Sequence, residues 1–285
     1  MSQRWVNAAF FFESFLLYSL GLGMAKYLGA TLQWERAWIG IGWVFCLQLG
    51  GIFLWRHTAT LAKAQDEERP QASLFSKDFI LAVAAFASLT SLTVWMVANR
   101  LFSLGIFGMI VLAILGTLIS AKTLRLTELE RFREIFLSFL MAVGIPWFAF
   151  LLQVETLHRF LPIVTLPILA LRMTMVLSYQ LSTYASDLNT KNLTLMLRIG
   201  WQNGMSLHHG LILFAFVLIA FGTVFGIPLA VGMPPMAAFV LGIGQIWNMR
   251  RIAQGVKPNW QGLVWGGTAL YGLVIYLYAY SFWIR

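Results

Sequence analysis

From residue 187 to residue 200 the chain reads Asp187-Leu-Asn-Thr-Lys191-Asn-Leu-Thr194-Leu-Met-Leu-Arg198-Ile-Gly200, a polar stretch held between two apolar runs. The run before it, 160–181, and the run after it, 206–228, are each long enough to cross about 30 Å of hydrocarbon at about 1.5 Å per helical residue. Working outward, the same pattern of apolar runs predicts helices at 8–30, 36–55, 78–98, 101–120, 134–153, 160–181, 206–228, 229–247 and 261–284. The composition agrees: 59% of residues are hydrophobic and 11% charged, far from the averages of soluble domains. An all-α integral membrane protein of nine spans is therefore expected. No Pro/Ser-rich linker or change of composition divides the chain, so 1–285 reads as one domain.

Orientation follows from basic residues, which are retained in cytoplasmic loops. With the N-terminus inside, the long connections at 56–77, 121–133 and 182–205 fall on the cytoplasmic side, as do Arg250, Arg251 and Lys257 and most of the other Lys and Arg residues, and the C-terminus falls on the opposite side. That opposite side keeps only Lys26, Arg36, Arg100, Arg159 and Arg285. The net charge of +9 is spread over these loops, where attraction to anionic lipid accounts for it and nucleic acid is not called for. The single cysteine, Cys46, lies in an apolar run, so neither a disulfide nor a cysteine metal site is expected. The first apolar run is interrupted by Glu13 and no small-x-small cleavage site follows, so it reads as a span rather than a signal peptide. Gly40 with Gly42, Gly50-Gly51, Gly105 with Gly108, Gly242 with Gly244 and Gly266-Gly267 favour close helix packing. Pro146, Pro162, Pro167, Pro234 and Pro235 are expected to kink or break helices.

The stretch from Asp187 resembles the second motif of the UbiA superfamily of intramembrane prenyltransferases. Asp187 falls on the second aspartate of the family's D-x-x-x-D, Thr194-Leu195 on its Thr-Leu pair and Gly200 on its closing glycine. Thr183 stands where the first aspartate is expected, and Lys191 where glycine is usual. Leu47-Gln-Leu-Gly-Gly51 is similar to the segment before the first polar loop of menaquinone-type members. Arg69-Pro70 looks like the family's Arg-Pro, and Arg125-Leu126 with Arg133-Glu134 looks like the region that opens the fifth helix. The resemblance implies a nine-helix bundle with an inward N-terminus.

It also implies a first metal motif, N-D-x-x-D-x-x-x-D, which falls on Trp55-Arg-His-Thr-Ala-Thr-Leu-Ala-Lys63. Arg56, Ala59 and Lys63 occupy all three aspartate positions. In the family the two motifs hold Mg²⁺ on a polyprenyl diphosphate, and Mg²⁺ requires hard oxygen ligands that Arg, Ala and Lys do not offer. Two substitutes remain open: the downstream acids Asp66-Glu67-Glu68, and direct diphosphate binding by Arg56, Lys63, Arg69, Arg125 and Lys191 with Asp187 and Thr194.

The expectation is therefore a pseudoenzyme: a UbiA-like protein that has lost Mg²⁺-dependent prenyl transfer. It would act as a structural subunit of a membrane complex, or one that binds an isoprenoid lipid, quinone, carotenoid or chlorophyll-type pigment. Membrane lipids and other membrane-protein subunits are the expected partners, in a bacterial-type inner membrane or an energy-transducing one. An active, divergent aromatic prenyltransferase using Asp187, with Mg²⁺ as cofactor, is the alternative, and a lipid or small-solute transporter a third. Glu13 and Arg172 lie inside spans, where ionisable groups are paired or functional. His57, His208 and His209 are expected at helix ends near the cytoplasmic surface, solvated, with pigment or metal ligation as the sharper reading.

Overall fold

A computed structural model describes residues 3–66, 76–120, 132–190 and 193–285, with the backbone alone for 3–8 and 62–66. Every regular element among them is helical. These are α1 (Gln3–Tyr27), α2 (Trp34–Asp66), α3 (Lys77–Ala98), α4 (Leu104–Ser120), α5 (Arg133–Val154), α6 (Phe160–Asn189), a one-turn α7 (Leu195–Ile199), α8 (Trp201–Val224), α9 (Leu229–Ala253) and α10 (Trp260–Trp283). Seven of them, α2, α3, α5, α6, α8, α9 and α10, are long and apolar enough to cross a membrane. That is the composition of an integral membrane protein, since a helix satisfies its own backbone in hydrocarbon.

α5 and α6 form the buried centre, α1 packs on α5 and α10, and α6 packs on α8 and α10. α2 and α3 form a hairpin whose outer helix, α3, is mostly exposed along its apolar length. The exposed apolar side chains of α3 and α4, such as Ile80, Val94, Leu104 and Phe107, suit a lipid solvent.

Two helices run further than the apolar runs predict. α2 continues to Asp66, so the stretch from Trp55 to Lys63 is helical rather than a loop. It contains no glycine or proline, and Thr58 and Thr60 return their hydroxyl protons to the carbonyls of Trp55 and Arg56 at 3.0 and 2.9 Å. α6 likewise extends to Asn189, which puts Thr183 and Asp187 one turn apart on one helical face. Hydropathy marks where a helix leaves hydrocarbon, whereas the backbone ladder can continue into water.

The prolines act as expected at two places. A π turn at Leu140–Gly144 precedes Pro146 and provides a wider turn where the ring removes a donor. Pro234 and Pro235 break α9 between Met236 and Phe239. Pro162 sits in the first turn of α6, where no helical partner is lost. Close approach to backbone occurs at Gly21, where a Cβ would overlap the carbonyl oxygen of Pro146 on α5. Gly200, between α7 and α8, has φ 81° and ψ 151°, a conformation open essentially to glycine alone.

The bundle has two distinct ends. At one, Lys26 donates to the Trp283 carbonyl at 2.6 Å, Trp34 stacks on Trp283, Gln33 N–H donates to Gln153 at 2.9 Å, and Arg36 pairs with Glu155 at 3.4 Å. At the other, Trp55 of α2 and the C-terminal ends of α4 and α6 meet the start of α5 and Thr194 around one cavity.

Candidate functional site

The cavity occupies about 960 Å³, the size of a lipid or large cofactor site. Its walls come from α1, α5, α6 and α10, mostly as apolar and aromatic side chains such as Phe10, Leu16, Met175, Trp265 and Tyr276. A second, smaller space of about 290 Å³ adjoins it among α2, α4 and α5, and Phe10, Trp55, Ser120, Leu137 and Arg172 line both.

The mouth is polar. Asp187 is 8% exposed, and its Oδ2 accepts the hydroxyl proton of Thr183 at 2.8 Å. Thr183 stands where the motif leads one to expect a carboxylate, so a hydroxyl donor one turn away takes up one of the acceptor sites that two acids would have left for a cation. Gln180, also on α6, accepts the Met196 N–H at 3.0 Å and ties the 193–200 segment to the bundle. Thr194 caps α7 through Leu197 N–H at 3.4 Å, which is ample reason for its residue type. Glu134 lies between Arg133 and Arg198, each at 3.7 Å, and this ionic group joins the start of α5 to α7. Arg133, Glu134, Asp187 and Thr194 all line the same cavity.

Three turns before the end of α2, Trp55 lines the cavity, while Arg56 packs over the Phe53 ring at 5.8 Å. Of the other predicted cations, Lys63 lies on α2 with only its backbone described, and Arg69, Arg125 and Lys191 lie outside the described residues. The downstream acids divide similarly: Asp66 is the last residue of α2, and Glu67 and Glu68 lie outside.

The histidines depart from the expectation of solvated helix ends. His57 is 6% exposed, and its Nδ1 is 2.8 Å from the hydroxyl of Ser76, which also caps α3 through Phe79 N–H at 3.2 Å. His57 thus fastens α2 to the start of α3. His208 is fully buried against Ser178 of α6, with Nε2 and Oγ 3.1 Å apart. His209 stands beside it with ring centroids 5.7 Å apart. The reason is geometric: α8 begins at Trp201, so both residues lie two turns inside the helix rather than at its start. Among the described residues no cluster of three or more His, Cys, Asp or Glu side chains is placed to hold a metal. Ser76→Ala is expected to cost about 1 kcal/mol, the ordinary value of an N-cap. Hydrogen exchange in the first turn of α3 would show it.

The deepest polar feature is one the sequence suggested only in part. Glu13 of α1 and Arg172 of α6 form an ion pair, both mostly buried. Tyr271 of α10 completes it by donating to Glu13 at 2.8 Å, while Arg172 Nη1 lies 3.5 Å from the same hydroxyl. Three helices from opposite parts of the chain are thus joined at the place where the two cavities meet. In low dielectric an unpaired charge costs far more than this pair, so the contact fixes the relative depth of α1, α6 and α10. Tyr271 escaped sequence reasoning because tyrosine is common in membrane helices and its partners lie far away in the chain.

The chain matches no protein-family model, and no curated protein is significantly similar to it.

Proposed function

We propose that this chain is a membrane-embedded binding protein for an isoprenoid-type lipid, built on a UbiA-like bundle without Mg²⁺-dependent prenyl transfer. On this reading α1 and α4 cross the membrane with the seven longer apolar helices, giving nine crossings. The N-terminus and polar mouth face the cytoplasm, the C-terminus faces the other side, and the protein serves as a subunit of a membrane complex. The observation that carries the proposal is the cavity of about 960 Å³ with apolar, aromatic walls and a polar mouth, which matches a long apolar chain ending in a polar head. The α2 end of that mouth supports it further. In the register of the first metal motif it presents Trp55 to the cavity, next to Arg56, Ala59 and Lys63. Mass spectrometry of lipids released from the purified protein tests the proposal. A stoichiometric isoprenoid lipid is expected, and a protein that carries only bulk phospholipid and takes up no added isoprenoid defeats it.

A second reading, a divergent aromatic prenyltransferase, draws on the convergence of Asp187, Glu134, Arg133 and Thr194 on one mouth. On this reading Asp187 and Glu134 would supply the hard oxygen ligands, with diphosphate and water completing the shell of a Mg²⁺. The readings separate cleanly in an assay with polyprenyl diphosphate, an aromatic acceptor and Mg²⁺. Binding alone predicts no transfer. The enzyme predicts turnover that Asp187→Ala reduces by at least about a hundredfold, the scale of removing a group that holds charge in the transition state. The paired replacements Arg56→Ala and Lys63→Ala test the direct cationic route in the same assay.

A further inference from the structure

The smaller space behind Arg172 carries its own chemistry. Its walls are aromatic and apolar, with Trp43 and Phe148 packed at 4.9 Å between centroids, and Trp43 Nε1 is already committed to Thr93 at 2.9 Å. Thr117 and Ser120 of α4 also line it, with their hydroxyl protons spent on the Ala113 and Thr117 carbonyls, and two larger polar side chains interrupt the walls, Gln48 of α2 and Arg172 of α6, at 9% and 6% exposure. Each retains a buried polar atom without a partner: the Oε1 of Gln48 and the Nε of Arg172.

The orientation of Gln48 follows from its neighbour. The Ser14 hydroxyl donates to the Phe10 carbonyl at 3.0 Å, so its oxygen is left to accept, and the Gln48 amide nitrogen is the group that donates to it. The same nitrogen lies 3.8 Å from the Met141 sulfur. The amide oxygen is then the free end, a pure acceptor. Arg172 spends Nη1 on Glu13 and Tyr271, and its Nε is a buried donor without a partner. Buried polar atoms without partners are costly, and a site built to bond a ligand hydroxyl discriminates strongly against an analogue that lacks it.

We infer that this inner space binds the ring of an isoprenoid quinol in preference to the corresponding quinone. An oxygen of the ring accepts from Arg172, a ring hydroxyl donates to Gln48, and the tail lies in the larger cavity. The inference rests on the isoprenoid-binding reading above. A quinone offers only acceptors, so it satisfies Arg172 and leaves the Gln48 oxygen bare. The quinol satisfies both, and aromatic walls accommodate either ring.

The test uses the full chain in nanodiscs, with a decyl-substituted benzoquinol, the matching benzoquinone and farnesol as probes, measured anaerobically at equilibrium. The quinol is expected to bind roughly tenfold or more tightly than the quinone. Gln48→Leu is expected to remove that preference by weakening the quinol alone, with farnesol binding unchanged. The double variant Glu13→Leu/Arg172→Met, which leaves no charge unpaired, is expected to weaken both rings. Equal affinity of the two redox forms for the native protein, or a preference that survives Gln48→Leu, overturns the inference. Farnesol binding without either ring also overturns it and spares the cavity reading. Failure of all three probes removes both.

Discussion

Replacing Arg172 with methionine is expected to destabilise the bundle by about 3–5 kcal/mol, the cost of leaving a buried carboxylate without its cation. Glu13 has Tyr271 as its remaining partner, and a neutral hydroxyl does not balance a full charge. The informative comparison is the double variant Glu13→Leu/Arg172→Met, which removes both charges and is expected to recover most of the loss, because apolar replacement of a whole buried pair is often nearly neutral. Thermal unfolding in one detergent, measured for the two single variants and the double, gives the coupling directly. Additive losses would mean that the pair holds nothing together and that the two residues serve the cavity independently.

Gly272→Trp is expected to empty the larger cavity of lipid while leaving the fold intact. Gly272 faces the cavity from α10, one residue beyond Tyr271, and a Cβ there has no atom within 4 Å. An indole would therefore extend into space that is open, not into a packed wall. Lipid occupancy by mass spectrometry should fall at least about tenfold, the effect of displacing apolar contacts worth somewhat over 1 kcal/mol. The melting temperature should not fall below that of the lipid-stripped native protein, because the loss is one of ligand stabilisation alone. Undiminished occupancy would place the lipid elsewhere on the surface.

The parts of the fold that depend on local pattern were legible in the sequence. Long apolar runs marked the seven helices that are long and apolar enough to cross a membrane, Pro234-Pro235 marked the break in α9, and Glu13 and Arg172 stood out as the ionisable residues within apolar runs. Other features were not, because they depend on partners. Nothing near Trp55 or Asp187 signals that the helices continue to Asp66 and Asn189, since polarity ends a span without ending a helix. The burial of His208 against Ser178 depends on where α8 begins and which side of α6 it meets. Gln48 is a single polar residue in an apolar run, and only the arrangement of α2, α4 and α5 places it on a cavity wall. The motif register from Asp187 to Gly200 did point to the polar mouth, yet the cavity's deepest contact belongs to Tyr271, which no motif marks.

The junction of Glu13, Arg172 and Tyr271 also sets an order of events during synthesis. α1 is made well before α6, so its acid exists long before Arg172 is there to answer it. Arg172 follows with α6, and Tyr271 comes only with α10. The wall that α10 contributes is added after those of α1 and α6, although α10 packs directly on α1. Until α10 is in place the chamber lacks one side, so the cavity closes only when α10 joins α1 and α6, and not with the folding of either of those helices alone.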